Sequence, residues 1–144
     1  LRVVRLTPLV SIDFVVRDGT GDLLVGWRRN RPARDSWFVP GGRIGKNERI
    51  ADAFTRLAQA ELGTAFGIAQ ARFLGVYEHF YADNFAGELG FGTHYVVLAY
   101  ALDVREPLAL PDAQHARYRW MSDPDLLADP DVHPNTRAYA RAVA

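Results

Sequence analysis

Apolar residues follow two different periods along the chain, and the switch between them lays out its elements. Leu9 to Arg17 is rich in β-branched residues, with Asp13 set among apolar neighbours, and predicts a strand. Asp18-Gly19-Thr20-Gly21-Asp22 reads as a turn and Leu23 to Trp27 as a second strand, so the two predict a hairpin. A strand-like run from Trp37 ends at Pro40, and Gly41 and Gly42 behind it predict a sharp turn that bares backbone carbonyls and amides. The period then changes. Ile50, Phe54, Leu57 and Glu61 fall on one side of a helix from about Arg49 to Leu62, stopped by Gly63. Arg72 to Tyr81 and Phe91 to Asp103 return to long strands, joined by a surface loop from Ala82 to Gly90. Tyr118 to Met121 is a short strand. Ser122 or Asp123 caps a small helix through Leu127, and Asn135 another from about Thr136 to Ala142. Strands around one central helix, with a helix at the end, give an α/β layered fold.

Composition narrows the functional classes. With 144 residues, 49% of them hydrophobic, and no repeat or linker, residues 1–144 are expected to form a single domain with one core. Seventeen basic and seventeen acidic residues give a net charge of +0, so no global field draws nucleic acid or a membrane surface, and neither is an expected partner. The absence of cysteine excludes disulfides, thiolate metal sites and a cysteine nucleophile. The apolar run from Tyr95 to Leu102 is too short to span a bilayer, and the first residues lack signal-peptide architecture. A cytoplasmic location is the expectation.

The residues themselves suggest where chemistry sits. Glu61 ends an otherwise apolar helical stripe, and an acid there is costly to bury without a partner, either Arg56 or a metal. Arg28, Arg29, Arg31 and Arg34 surround Pro32 in a basic loop that reads as a solvated segment or as an anion contact. Glu48 reads as a helix N-terminal cap more than as a metal ligand. Asp13 and Tyr95 are either ligand contacts or satisfied core polar groups. Trp37, Phe38 and the aromatics of 77–85 are core, with one available to stack on a base.

Gly42 is followed after five residues by Glu48, after seven more by Arg56, and then by Leu57-Ala58-Gln59-Ala60-Glu61-Leu62-Gly63-Thr64. In this spacing the chain resembles the Nudix hydrolases: the glycine, first glutamate, arginine, last glutamate and final glycine of the Nudix box are in register. Leu57 and Ala60 stand where two further glutamates are usual, and Thr64 where an apolar residue is. The same two losses, together with Asn30-Arg31-Pro32-Ala33, His79-Phe80-Tyr81, Thr93-His94-Tyr95 and Leu110-Pro111-Asp112 with Gln114-His115, make the chain similar to the GDP-mannose mannosyl hydrolases of that family.

The resemblance implies a Nudix fold, with mixed β-sheet layers packed between helices in an α/β/α sandwich. It implies a homodimer and Mg²⁺-dependent (Mn²⁺ is the other candidate) hydrolysis of GDP-mannose or GDP-glucose to GDP and sugar at the anomeric carbon, with inversion. The implied metal ligands are the Gly41 carbonyl, Glu61 and Gln114. Arg28 and Arg43 fall on the leaving diphosphate, His115 is the general base, and Asp13, His79 and Tyr95 are substrate contacts. His94 is structural. Two alternatives keep the fold: a nucleotide-sugar diphosphatase attacking phosphorus, and a catalytically silent nucleotide-sugar binder.

Overall fold

A computed structural model describes residues 1–29, 34–111 and 117–142. Its elements run α1 (Arg2–Leu6), β1 (Leu9–Arg17), β2 (Leu23–Trp27), β3 (Trp37–Phe38), β4 (Gly41–Arg43), α2 (Ile50–Leu62), a 3₁₀ turn (Ile68–Gln70), β5 (Arg72–Tyr81), β6 (Thr93–Asp103), β7 (Tyr118–Met121), α3 (Asp123–Ala128) and α4 (Pro134–Ala142). The strands form one seven-stranded mixed sheet.

β1 is its axis. It pairs in parallel with β6 along its whole length, from Leu9↔Tyr95 to Arg17↔Asp103, and antiparallel with β4 at Ser11↔Arg43, Ile12↔Gly42 and Asp13↔Gly41. A strand paired on both edges and covered on both faces reads as a nearly unbroken buried run, and seven of its nine positions are buried. Side chains alternate between the faces. Ile12, Phe14 and Val16 meet Phe54, Leu57 and Leu62 of α2, while Val15 meets Leu126 of α3 and Tyr139 of α4. Phe54, fully buried, stands edge-on to Phe14 at 5.1 Å and to Tyr100 at 5.2 Å, and burying such a ring is worth about 1.5–3 kcal/mol. Helices therefore close both faces of the sheet, in the expected α/β/α layering.

Several local expectations change. The β1–β2 hairpin touches at a single register pair, Arg17↔Leu23, because β4 takes the rest of that edge of β1 and β2 leaves to pair with β3 and β7. Gly41 and Gly42 lie in an extended strand, not in a sharp turn. Ile50 is 45% exposed, because the buried stripe of α2 runs through Ala53, Phe54, Leu57, Ala58, Glu61 and Leu62. Gly63 ends α2 in the left-handed region at φ 76, as expected. The start of α4 is capped by His133, whose ring Nδ1 accepts from the Asn135 amide at 3.1 Å. Asn135 instead points its own Nδ2 at Tyr81 Oη, 3.3 Å away. α1 and the 3₁₀ turn carried no sequence signal. In α1 a short, β-branched stretch is helical because Val4 docks on the sheet.

The loop from Ala82 to Gly90 is organised from within. Asn84 is fully buried, donating from Nδ2 to the carbonyls of Glu88 (2.8 Å) and Phe91 (3.1 Å) and accepting at Oδ1 from the amides of Ala86 and Glu88. Asn84→Ala strands those backbone groups and is expected to destabilise the protein by about 1–3 kcal/mol in urea unfolding. Hydrogen exchange should quicken at Ala86 and Glu88 and leave β1 unchanged.

Candidate active site

The polar side chains gather at one end of the sheet, on the face that α4 covers. There β1 swaps Val15 for Asp13 and Ser11. The register carries the same face across Tyr95 and Val97 of β6 to His79 and Tyr81 of β5. Two hollows open at this edge. The inner one, a cavity of about 70 Å³, is walled by Ser11, Asp13, Phe38, His79, Tyr81 and Val97. The outer one, of about 300 Å³, runs past Arg29, Arg56, Leu57, Ala60 and Glu61. Arg28, Gly41, Gly42, Arg43 and Tyr95 line both and form the saddle between them.

Close packing shapes that saddle. A Cβ on Gly42 would collide with Leu57 Cδ2, so glycine there lets α2 seat Leu57 directly beneath the strand. Leu57, 5% exposed, thus fills core where a box glutamate is usual. Glu48 is neither a helix cap nor a saddle ligand. It takes two bonds from Arg56, Nε to Oε2 at 2.7 Å and Nη2 to Oε1 at 2.9 Å, and one from the Gly45 amide at 2.9 Å. Arg56 Nη2 also donates to the Arg43 carbonyl at 2.9 Å, so this forked pair staples β4 to α2. Those bonds hold the Glu48 carboxyl down at about 2. Arg56 is therefore engaged elsewhere and leaves Glu61 aside.

Glu61 is 6% exposed, and its Oε2 is buried with no hydrogen-bond partner among the described residues. Burial lifts its carboxyl from an ordinary 4.5 to about 7; the charge of Arg28 opposes the rise and that of Asp13 adds to it. Asp13 is raised from 3.8 to about 7 by the same desolvation, against the Tyr139 hydrogen bond and Arg28. His79, 4% exposed, is pushed by burial and by His133 down to about 4, so its ring is neutral at pH 7. Burial raises the Tyr95 phenol, with Arg28 and then Arg43 pulling the other way.

Seven sequence-selected residues thus converge: Asp13, Arg28, Gly41, Arg43, Glu61, His79 and Tyr95 all line the two hollows. Gln114 and His115 lie outside the described residues. The chain on either side of them is tied down, because Tyr118 Oη donates to the Pro111 carbonyl at 2.6 Å and the Arg117 carbonyl accepts from the Trp27 amide at 3.0 Å. His94 stacks on Phe80 at 4.4 Å, away from the inner hollow. Trp37 is 4% exposed under Arg117 and Arg119, and is core. Sequence reasoning singles out none of Ser11, His133, Asn135 and Tyr139 as site residues, and takes in Tyr81 only among the aromatics of 77–85. They reach it through strand alternation and the docking of α4, neither of which a local sequence pattern reveals.

The NUDIX domain family profile matches residues 7–142, so the chain belongs to that family. It is 37% identical over 141 residues to the low-salt glycan biosynthesis protein Agl8 of Haloferax volcanii, covering 98% of this chain and 85% of that protein. The MutT NUDIX hydrolase of Burkholderia pseudomallei has the same fold, with a TM-score of 0.76 at 25% identity over 96% of this chain and 99% of that one. So does the NUDIX domain of Shewanella oneidensis NrtR, solved with ADP ribose, with a TM-score of 0.72 at 16% identity over 95% and 86%.

A divalent ion fits this donor set. Among the described residues no three His, Asp or Glu side chains converge as a cage. The fit rests instead on Glu61 Oε2, which has no hydrogen-bond partner among the described residues and lines the same hollow as Gly41; hard oxygen donors of this kind suit Mg²⁺ or Mn²⁺. Folding raises the pKa of Glu61, so the native state holds that proton more tightly than the unfolded chain. Its contribution to stability is full below 4.5 and is lost as pH climbs towards about 7. Glu61→Gln removes this loss. At pH 8 in chelator the variant should be more stable than the parent by on the order of 1–3 kcal/mol. Added Mg²⁺ should raise the thermal midpoint of the parent and leave the variant unmoved.

Proposed function

We propose that this Nudix hydrolase converts GDP-mannose, or a related GDP-hexose such as GDP-glucose, to GDP and free sugar by water attack at the anomeric carbon with inversion. The observation that carries this is the pairing of opposites at the saddle. Arg28 and Arg43 bring guanidinium groups to it, while Glu61 Oε2, buried with no hydrogen-bond partner among the described residues, asks for a cation. A diphosphate with its metal satisfies both. α2 brings Glu61 to the cleft, whereas Leu57 is committed to the core and Ala60 offers a methyl group. Attack at phosphorus is served by several carboxylates gathered around metal and water. Departure of a diphosphate from carbon needs mainly charge stabilisation on the leaving oxygens.

Glu61, the Gly41 carbonyl and Gln114 would hold the ion, which when bound supplies positive charge to the diphosphate oxygens. Arg28 and Arg43 grip those oxygens with planar guanidinium groups. His115 takes a proton from water as its oxygen bonds to the anomeric carbon, and the carbon–oxygen bond to the β-phosphate breaks with its electron pair leaving on GDP. Asp13, His79 and Tyr95 hold the hexose in the inner hollow. A relative named for glycan biosynthesis supports a sugar-bearing substrate.

A panel of GDP-mannose, GDP-glucose, UDP-glucose and ADP-ribose with Mg²⁺, its products resolved by phosphorus NMR, tests the assignment. GDP should accumulate fastest from a GDP-hexose, with a reducing sugar released in equal amount. Tight binding of the GDP-hexoses without turnover would overturn it in favour of a silent binder.

A further inference from the structure

The inner hollow is held from behind by the C-terminal helix. Tyr139 of α4 is fully buried, its ring edge-on to Tyr77 at 4.9 Å and tilted against His79 at 6.0 Å. Its hydroxyl donates to Asp13 Oδ2 at 2.7 Å and stands 3.5 Å from His79 Nε2. These contacts join residues 126 and 60 positions apart, so only the docked helix makes them. One turn earlier, Asn135 reaches Tyr81, a second wall residue.

A phenol has a single proton to give. With Asp13 ionised, Tyr139 gives it to the carboxylate, and only an oxygen lone pair is left to face His79. A neutral imidazole meets a lone pair favourably with N–H, so His79 presents Nε2–H and leaves Nδ1 unprotonated. Asp13 is fixed at the same time: Oδ2 is turned back to the helix and Oδ1 lies on the Gly41 side, at the saddle. Inside a low-dielectric wall, such a chain orders each member's donor and acceptor roles.

We propose that Tyr139 is a positioning residue of this site, its hydroxyl locking the Asp13 carboxylate and setting the Nε2–H tautomer of His79. The hollow then offers a polyhydroxylated ligand one fixed carboxylate oxygen and one imidazole tautomer. This rests on the reading of the inner hollow as the hexose pocket.

Two measurements on the full chain test it. In ring-¹⁵N-histidine protein without substrate, the His79 signals, assigned by their loss in His79→Gln, should show the neutral Nε2–H tautomer in the parent. They should show a mixture of tautomers in Tyr139→Phe, which keeps the ring and removes the hydroxyl. For GDP-mannose, Tyr139→Phe should lower kcat roughly 10- to 100-fold, the scale of one hydrogen bond to a buried charge, with KM within about twofold. An Nδ1–H tautomer in the parent overturns the proposal however well the variant folds. An unchanged tautomer, or an unchanged kcat, in folded Tyr139→Phe overturns it as well. Absence of any GDP-mannose turnover would sink the functional reading, while the ring measurement would still decide the role of Tyr139.

Discussion

Two carboxylates held out of water within the field of one guanidinium set the terms for the rest of the site. Arg28 lowers the cost of ionising both Asp13 and Glu61, yet desolvation outweighs it, and both acids sit near 7. A carboxylate that burial penalises and no protein donor satisfies is unfavourable by itself, and becomes favourable when a cation arrives. The fold therefore stores a demand for positive charge at Glu61 beside the guanidinium groups of Arg28 and Arg43.

The sheet creates that standoff. β4 lies along β1 so that Gly41 faces Asp13, and Leu57 wedges under Gly42 to bring α2, with Glu61 one turn on, against the same strands. The Glu48–Arg56 pair locks the intervening loop from outside, half-exposed, and its value lies more in register than in stability. The box thus divides into parts that build the turn and one part that faces the ligand. Of the two departures at glutamate positions, Leu57 is packed into the core and Ala60 lines the outer hollow.

Much of this was legible in the sequence, for identifiable reasons. The bounds of β1, β2, β5 and β7, and Gly63 as the stop of α2, follow from local period and glycine chemistry, which depend little on distant partners. What failed was decided at long range. β2 abandons the hairpin because β4 competes for its edge of β1; Gly41 and Gly42 matter through Leu57, not through turn geometry; His133 takes the cap expected of Asn135 because Asn135 is drawn to Tyr81. The same holds in the site. Asp13 and Glu61 stood out as acids among apolar neighbours, whereas Tyr139 looks like any aromatic on an amphipathic helix until α4 docks.

The central claim is that a helix offering one carboxylate favours departure of the diphosphate from carbon over attack at phosphorus. Hydrolysis of GDP-mannose in ¹⁸O-labelled water, with both products weighed by mass spectrometry, tests it most directly. The account predicts ¹⁸O in the released mannose, measured before its anomeric oxygen exchanges with water, and unlabelled GDP. Label in a phosphate group, with GMP and mannose 1-phosphate as products, would contradict it.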